Sequence, residues 1–160
     1  MTDYLRAAGA ITTRLRESVT LVPDAQINVA ASIGAAMELL QITPAVFVIP
    51  WDETVPDDDP TGMSAATEHT WLVLIVARKV EDAAYGAASL AEAGSIQFEA
   101  LRSLQGYAIP LSGLGRMRRA QAPRLGAHGG MIDYEKGVSA IPLLFALPIY
   151  TTGAVNDAED

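Results

Sequence analysis

The feature that most constrains the fold is an uninterrupted apolar run at residues 71–77, WLVLIVA. The run is short for a helix and rich in Val and Ile, which favour strands. Two sets of side chains alternate along it, one starting at Trp71 and the other at Leu72, and both sets are apolar. Because both faces of such a strand must be covered, the run predicts a central strand with packed layers on either side.

A long Ala-rich segment follows this run and predicts a helix that reaches Leu104. Its apolar residues recur at roughly helical spacing and predict the face that packs on the strand. These residues are Ala87, Leu90, Phe98, Leu101 and Leu104. Ser89, with Glu92 three residues later, predicts a capping box at an internal helix start. A strand that feeds a helix packed back on it is the nucleus of an α/β layer.

The chain before the apolar run predicts further elements. Residues 3–19 predict a first helix, because apolar side chains recur on one face and charged ones on the other. Residues 26–29 alternate polar and apolar side chains, as a short half-buried strand does. Ser32 is suited to cap a short helix, and the apolar residues 45–49 predict a strand that Pro50 stops.

The chain after the long helix predicts less regular structure. Residues 107–130 are punctuated by prolines and glycines and predict an irregular segment. Residues 131–135 and 138–150 predict a hairpin around Lys136 and Gly137.

The last predicted strand contains Pro142 and Pro148, which predict that it lies at an edge of the sheet or is bulged. Together these elements predict an α/β fold of the α+β type in a single domain. Its sheet is mixed and mainly antiparallel, with about five strands and helices packed on it. We assign residues 1–152 to this domain and residues 153–160 to an acidic C-terminal tail.

Length and composition exclude several classes of protein. A chain of 160 residues can bury a core without disulfides, and this one contains no cysteine. Its net charge of −8 argues against a nucleic-acid-binding surface, which needs clustered Lys and Arg. No apolar run approaches the roughly 20 residues of a membrane span, and the N-terminus has no signal pattern. We therefore expect a soluble protein with no membrane partner.

Charge is distributed unevenly along the chain. Residues 19–76 contain acids but no Lys or Arg, and residues 50–66 predict a long acidic loop between two strands that can pair antiparallel. The candidate acids are Asp52, Glu53, Asp57, Asp58 and Asp59. A later Gly-rich stretch carries four arginines, which we call the basic group: Arg116, Arg118, Arg119 and Arg124.

Candidate chemistry is limited to this acidic loop and the histidines. The consecutive aspartates at residues 57–59 offer oxygen ligands for a cation but lack the spacing and the bidentate Glu of a calcium loop. His69 and His128 are the only histidines, and no Ser-centred nucleophile motif accompanies either. Residues 113–116 resemble part of a phosphate loop but lack its terminal Gly-Lys-Ser/Thr. We predict no catalytic residue, metal or cofactor.

Several segments follow one another in a recognisable order. A short helix precedes residues 43–50, TPAVFVIP, and an insertion loop leads to the strand at residues 69–78, HTWLVLIVAR. The helix to Leu104 comes next, and residues 131–137, MIDYEKG, precede the closing strand. In this order the segments resemble the tail terminator proteins of tailed bacteriophages. The resemblance covers most of the chain and rests on structural rather than chemical motifs.

The resemblance implies a structural virion protein without enzymatic activity. Such proteins form a ring, commonly hexameric, that caps the head-proximal end of the tail tube and stops its growth. The ring also offers the head-tail joining surface. The implied partners are further copies of the chain, the tail tube protein and a head-completion or neck protein, with DNA passing through the lumen without specific binding. Assembly would take place in the host cytoplasm.

Two other functions stay open from the sequence. One is a head-completion or connector subunit that binds the portal, and the other is a small metal-dependent hydrolase that uses His69 or His128 with the acidic loop. A ring needs two different, complementary patches on each subunit. The acids of residues 52–59 and the arginines of residues 116–124 are candidates for that pair. They would meet across the subunit boundary or hold the adjoining ring.

Overall fold

The computed structural model describes residues 5–55, 64–78, 87–123 and 138–152, and these form a five-stranded sheet with helices packed on it. The helices are α1 (Leu5–Ser18), α2 (Ile33–Leu39) and α3 (Ala87–Leu104), and a 3-10 turn spans Asp24–Gln26. The strands are β1 (Ile27–Val29), β2 (Ala45–Thr54), β3 (Ser64–Arg78), β4 (Arg118–Ala120) and β5 (Val138–Thr152).

The sheet has the order β1-β2-β3-β5-β4. β1 runs parallel to β2, whereas β2 with β3, β3 with β5 and β4 with β5 pair antiparallel. The predicted α+β class, with a mixed and mainly antiparallel sheet in a single domain, is confirmed.

β3 lies at the centre of the sheet, as its apolar run predicts. It pairs with β2 on one side and with β5 along all of its 15 residues on the other. Residues 71–77 are completely buried. Trp71 and Ile75 belong to the core beneath α1 and α3, whereas Leu72 and Leu74 belong to the core on the side of α2. Both faces of the strand are therefore covered.

The N-terminal helices form as predicted. α1 buries an apolar stripe of Ala8, Ile11 and Leu15 against the sheet. α2 has Ser32 as its N-cap, and the Ser32 Oγ accepts a hydrogen bond from the backbone N of Ala35 at 3.1 Å. This bond satisfies one of the donors that a helix start leaves without a partner, which favours so short a helix.

α3 packs on the sheet with a different face from the predicted one. Leu104 is buried, but Leu90 is 39% and Phe98 is 62% exposed. The buried residues are mostly small: Ser89, Ala93, Ile96, Ala100, Ser103 and Leu104. The prediction was wrong because it assumed that the largest apolar side chains of the helix face the sheet. Small side chains allow the helix to approach the large strand side chains beneath it, and close packing decides the face.

The predicted capping box at Ser89 is also wrong. α3 already includes Ala87 and Ala88, so Ser89 lies inside the helix. Its buried hydroxyl lies 2.8 Å from the hydroxyl of Ser139 on β5. A polar group without water needs such a partner, so this hydrogen bond fixes the helix on the strand instead of capping the helix.

Pro50 does not stop β2. The strand continues to Thr54, with a bulge between Pro50 and Asp52. β1 covers β2 only as far as Val48, whose carbonyl accepts a hydrogen bond from the backbone N of Ala30 at 3.0 Å. Backbone groups alternate sides along a strand, so the nitrogen of Pro50 also faces that side, beyond the end of β1. A missing N–H is tolerated there because no ladder is broken.

β5 is not an edge strand, although it contains Pro142 and Pro148. It lies between β3 and β4, and its register with β3 is unbroken over Val138–Thr152. The carbonyl of Pro148 and the N–H of Tyr150 both bond to the glycine-rich segment on the side away from β3. Both prolines share this orientation, so their missing N–H groups fall outside the ladder with β3. The predicted edge position and bulge were wrong for this reason.

Part of the segment predicted to be irregular is bound to the sheet. Arg118–Ala120 form β4, which pairs with residues 144–146 of β5. Gly113 has a φ of +81°, which glycine adopts easily, and its carbonyl accepts a hydrogen bond from the backbone N of Tyr150 at 2.8 Å. Residues 124–137, which include the predicted hairpin turn, lie outside the described residues.

Candidate functional site

Asp52 and Glu53 lie on a strand and not in the acidic loop that the sequence predicts. Asp52 pairs with Thr70 and Glu53 pairs with His69 across β2 and β3. They follow the bulge at Pro50, where β2 continues past the end of β1. The remaining predicted acids, Asp57, Asp58 and Asp59, lie outside the described residues.

A shallow pocket of about 360 Å³ adjoins these two acids. It is lined by Pro50, Trp51, Asp52, Glu53, His69 and Thr70. The Asp52 Oδ1 accepts a hydrogen bond from the backbone N of Glu53 at 2.8 Å, and the Asp52 carbonyl accepts one from the Thr70 Oγ1 at 3.2 Å. The Glu53 side chain is 58% exposed, and its Oε1 lies 3.8 Å from the Nε2 of His69. Glu53 therefore carries the more available carboxylate.

The histidine in this pocket is largely buried. His69 is 9% exposed, and its separation from Glu53 exceeds hydrogen-bond distance. Within the described ranges, no group of three or more His, Asp or Glu residues could hold a metal ion. His128 lies outside the described residues. The described part of the chain therefore offers no support for the hydrolase alternative.

Two of the predicted arginines make contacts within the subunit. Arg118 on β4 forms an ion pair with Glu68 on β3, across the intervening β5. The Nη1 of Arg116 donates a hydrogen bond to the carbonyl of Gly106 at 3.0 Å. Arg124 lies outside the described residues.

Arg119 differs from Arg116 and Arg118 because its side chain makes no ion pair or hydrogen bond within the described residues. Its side chain is exposed, and no carboxylate of the described residues pairs with its guanidinium. Its backbone N donates a hydrogen bond to the Oε1 of Gln105 at 2.9 Å, which fixes the strand but leaves the side chain available.

Among the described residues, the acids of β2 and the arginines of β4 are not brought together within one subunit. β3 and β5 lie between β2 and β4. At about 4.8 Å for each strand spacing, β2 and β4 are about 14 Å apart. Direct contact between Glu53 and Arg119 therefore requires a second copy of the chain.

Further exposed apolar side chains lie near the acids, at what we call the exposed end of the sheet: residues 50–55, 66–70 and 148–151. Val55 is 56% and Tyr150 is 60% exposed. The sequence gives no signal for Tyr150, because it lies near the end of an apolar strand whose other residues are largely buried. The sequence also does not indicate that Glu68 is the partner of Arg118, since 50 residues separate the two.

A second polar pocket, of about 310 Å³, lies between α1 and α3. Its lining includes Arg14, Arg102 and Glu99. Thr20 donates two hydrogen bonds to Glu99, from its hydroxyl at 2.7 Å and from its backbone N at 2.9 Å. The Thr20 hydroxyl, together with backbone N–H groups, holds the pKa of Glu99 below its ordinary value, although burial acts in the opposite direction. The hydrogen bonds between Thr20 and Glu99 therefore connect the segment that follows α1 to α3.

None of the helices in the described ranges is long and apolar enough to cross a membrane. In a comparison with protein families, the family model described as phage tail terminator protein matches residues 1–152 of the 160-residue chain. The match ends at the last residue of β5. A search of curated proteins finds no match to this sequence.

Proposed function

The chain belongs to the phage tail terminator family, and on this premise we propose that it forms the ring that caps the head-proximal end of the tail tube. Membership makes it a structural protein of the phage tail. In the proposed role the ring stops polymerisation of the tube and offers the surface to which the head attaches. The observation that carries the proposal is the family match, which spans almost the whole chain.

The sheet offers the two different sides that a ring requires. A closed ring of identical subunits uses a heterologous interface, in which two distinct patches of each subunit meet. On one side β2 carries Asp52 and Glu53, and on the other β4 carries Arg118 and Arg119. We expect the ring to be hexameric, as is common in the family.

The exposed end of the sheet fits contact with the adjoining parts of the tail. Trp51, Val55 and Tyr150 are between 40% and 60% exposed. Aromatic residues are enriched where proteins meet, because they bury a large area with little loss of side-chain entropy. We propose that these side chains contact the tail tube protein or the head-completion protein.

The net charge of −8 fits a passage for DNA. An acidic lumen repels phosphates, so DNA passes without binding to it. This part of the proposal predicts that the arginines of β4 lie away from the bore.

Electron microscopy of tail tubes tests the proposed function. Tubes are assembled from the cognate tube protein, with this protein added or omitted. Rings at one end of each tube, together with tubes that stop growing at that end, would support the terminator role. Infections that lack the protein should yield tail tubes of uncontrolled length that do not join heads.

Bare tube ends and unchanged tube lengths would contradict the proposal. Binding of the protein to isolated portal, in the same preparation, would then favour the head-completion alternative. A matched control adds the protein after unfolding, since any effect that persists would come from contaminants and not from the ring.

A further inference from the structure

One row of residues crosses four of the five strands, from an acid on β2 to an arginine on β4. Asp52 pairs with Thr70, Thr70 pairs with Ala146, and Ala146 pairs with Arg118. The acidic and basic groups therefore lie at the same height along the strands, on opposite sides of the sheet. A second copy displaced sideways, perpendicular to the strands, brings the opposite charges next to each other.

Next to this row, Glu53 and Arg119 lie on the same face of the sheet, the face that carries α1 and α3. Glu53 pairs with His69, and Arg119 pairs with Phe145. Phe145 in turn pairs with Trp71, which is two residues from His69 and therefore on the same face. Glu53 and Arg119 are offset along the strands by two residues, or about 7 Å, which an arginine side chain spans.

Among the described members of the acidic and basic groups, Glu53 and Arg119 have side chains available for a further contact. Arg118 already pairs with Glu68 inside the subunit. The guanidinium of Arg119 has no carboxylate partner among the described residues. The Glu53 side chain is 58% exposed and lies 3.8 Å from His69, too far for a hydrogen bond. Within the described residues, neither charge is held by a hydrogen-bonded ion pair, so both can pair with another molecule.

The edge of β2 beside Glu53 has room for a neighbour. β1 pairs with β2 only at residues 46–48. Followed across β5 and β3, the residues of β4 lie level with residues 49–52 of β2. This part of β2 begins where its pairing with β1 ends. The β4 strand of a second copy therefore fits beside the part of β2 that β1 leaves uncovered.

The contact must use side chains and not an added backbone ladder. The N–H of Glu53 donates to the Asp52 Oδ1 at 2.8 Å, and the N–H of Arg119 donates to the Gln105 Oε1 at 2.9 Å. A sheet edge whose donors are already bonded resists pairing with another strand. Charge complementarity between side chains remains as the means of recognition.

We propose that the Arg119 guanidinium of one subunit pairs with the Glu53 carboxylate of the next subunit around the ring. This interface rests on the proposed function, because it presumes that the chain forms a ring. Apolar side chains near the same edge would be covered by the neighbour, since Val29 on β1 is 45% and Ile42 is 62% exposed. The partner that fits this edge is therefore a second copy of the chain.

Charge reversal tests the proposed pair. Ring formation on tail tubes is measured by electron microscopy for Arg119→Glu, for Glu53→Arg and for the double variant. Each single variant should reduce capped tube ends by about tenfold or more at a fixed protein concentration, and the double variant should restore them. Arg6→Glu makes the same charge change on the exposed side of α1 and should cap tubes as the native protein does.

The outcomes separate this inference from the proposed function. If the native protein does not cap tubes, the proposed function fails. If the native protein and both single variants all cap tubes, the function stands and the Glu53–Arg119 interface is wrong. Loss of capping in the singles without recovery in the double variant also counts against the pair, provided that thermal melting shows all three proteins folded.

Cross-linking gives a second test that does not depend on loss of assembly. The chain contains no cysteine, so Glu53→Cys and Arg119→Cys each introduce a single thiol. The two variants are mixed under ring-forming conditions and treated with a short bis-maleimide. A covalent dimer in the mixture, absent from either variant alone, is the expected result. Equal cross-linking in the mixture and in the separate variants would overturn the proposal.

Discussion

The long strands of the sheet differ sharply between their two halves. In the buried half, residues 71–77 of β3 are fully enclosed, and Phe145 of β5, which pairs with Trp71, is 0% exposed. At the exposed end, residues 66–70 of β3 are mostly half-buried, and Tyr150 of β5 is 60% exposed. The backbone ladder continues through both halves without a break. One pair of strands thus provides the core in one half and a surface suited to assembly in the other.

The largest expected effect separates the two halves directly. Ile75→Ala removes a completely buried side chain and should lower the free energy of unfolding by about 2–5 kcal/mol. Tyr150→Ala truncates a larger but exposed side chain and should cost less than about 1 kcal/mol. Chemical denaturation of both variants measures the difference. Equal destabilisation by the two changes would mean that the exposed end also carries the stability of the fold.

A medium effect is expected where the glycine-rich segment contacts the exposed end. A Cβ at Gly115 would lie 2.5 Å from the Cγ of Pro148, and the ring of proline cannot move aside freely. Gly115→Ala should therefore destabilise the protein by about 1–3 kcal/mol.

Gly94 in α3 is the matched control, because a Cβ there meets no atom within 4 Å. Gly94→Ala should stabilise the helix by about 0.5–1 kcal/mol. Thermal melting compares the two variants. A melting temperature that rises in both would show that the segment on β5 yields easily and that the exposed end is less firmly packed than we infer.

The smallest expected effect concerns the hydrogen bonds between Thr20, just after α1, and Glu99 on α3. Glu99→Gln keeps the shape of the side chain but replaces its charged carboxylate with a neutral amide. The carboxylate accepts hydrogen bonds from Thr20 and Leu21. Hydrogen bonds to a charged, partly exposed carboxylate are screened by solvent, so the expected loss near pH 7 is about 1 kcal/mol.

The pH dependence of this loss follows from the lowered pKa of Glu99 in the folded protein. The stabilisation is fully present above the pKa of an unfolded-chain Glu, about 4.3, and disappears as the pH falls through the lower folded value. The stabilities of the native protein and of Glu99→Gln, measured by denaturation, should thus converge as the pH falls through the folded pKa of Glu99. A difference that stays constant from pH 7 to pH 3 would show that the charge is not the cause.

The buried half is the part of the fold that can be predicted from the sequence. Residues 45–49 and 71–77 are apolar on both alternating faces, and this pattern is sufficient to identify strands that are covered on both sides. The Ser32 cap is predictable as well, because capping depends on neighbouring residues only. Local patterns therefore suffice wherever burial and local hydrogen bonding agree.

The exposed end could not be predicted, because its structure depends on register. Residues 50–54 look like a loop since they combine a proline with acids, yet they pair with β3 because the open edge of β2 tolerates both. Pro142 and Pro148 look incompatible with an inner strand until the direction of each nitrogen is known. The alignment of Glu53 with Arg119 likewise appears only when all strand pairings are combined.

Hydrogen–deuterium exchange compares the two halves in the assembled state most directly. The protein is measured free in dilute solution and bound at the ends of tail tubes. Our account predicts added protection at residues 49–55 of β2, at β4 and at residues 148–152 of β5, with unchanged protection at residues 71–77. Added protection confined to other parts of the chain, with the exposed end exchanging as in the free protein, would contradict it.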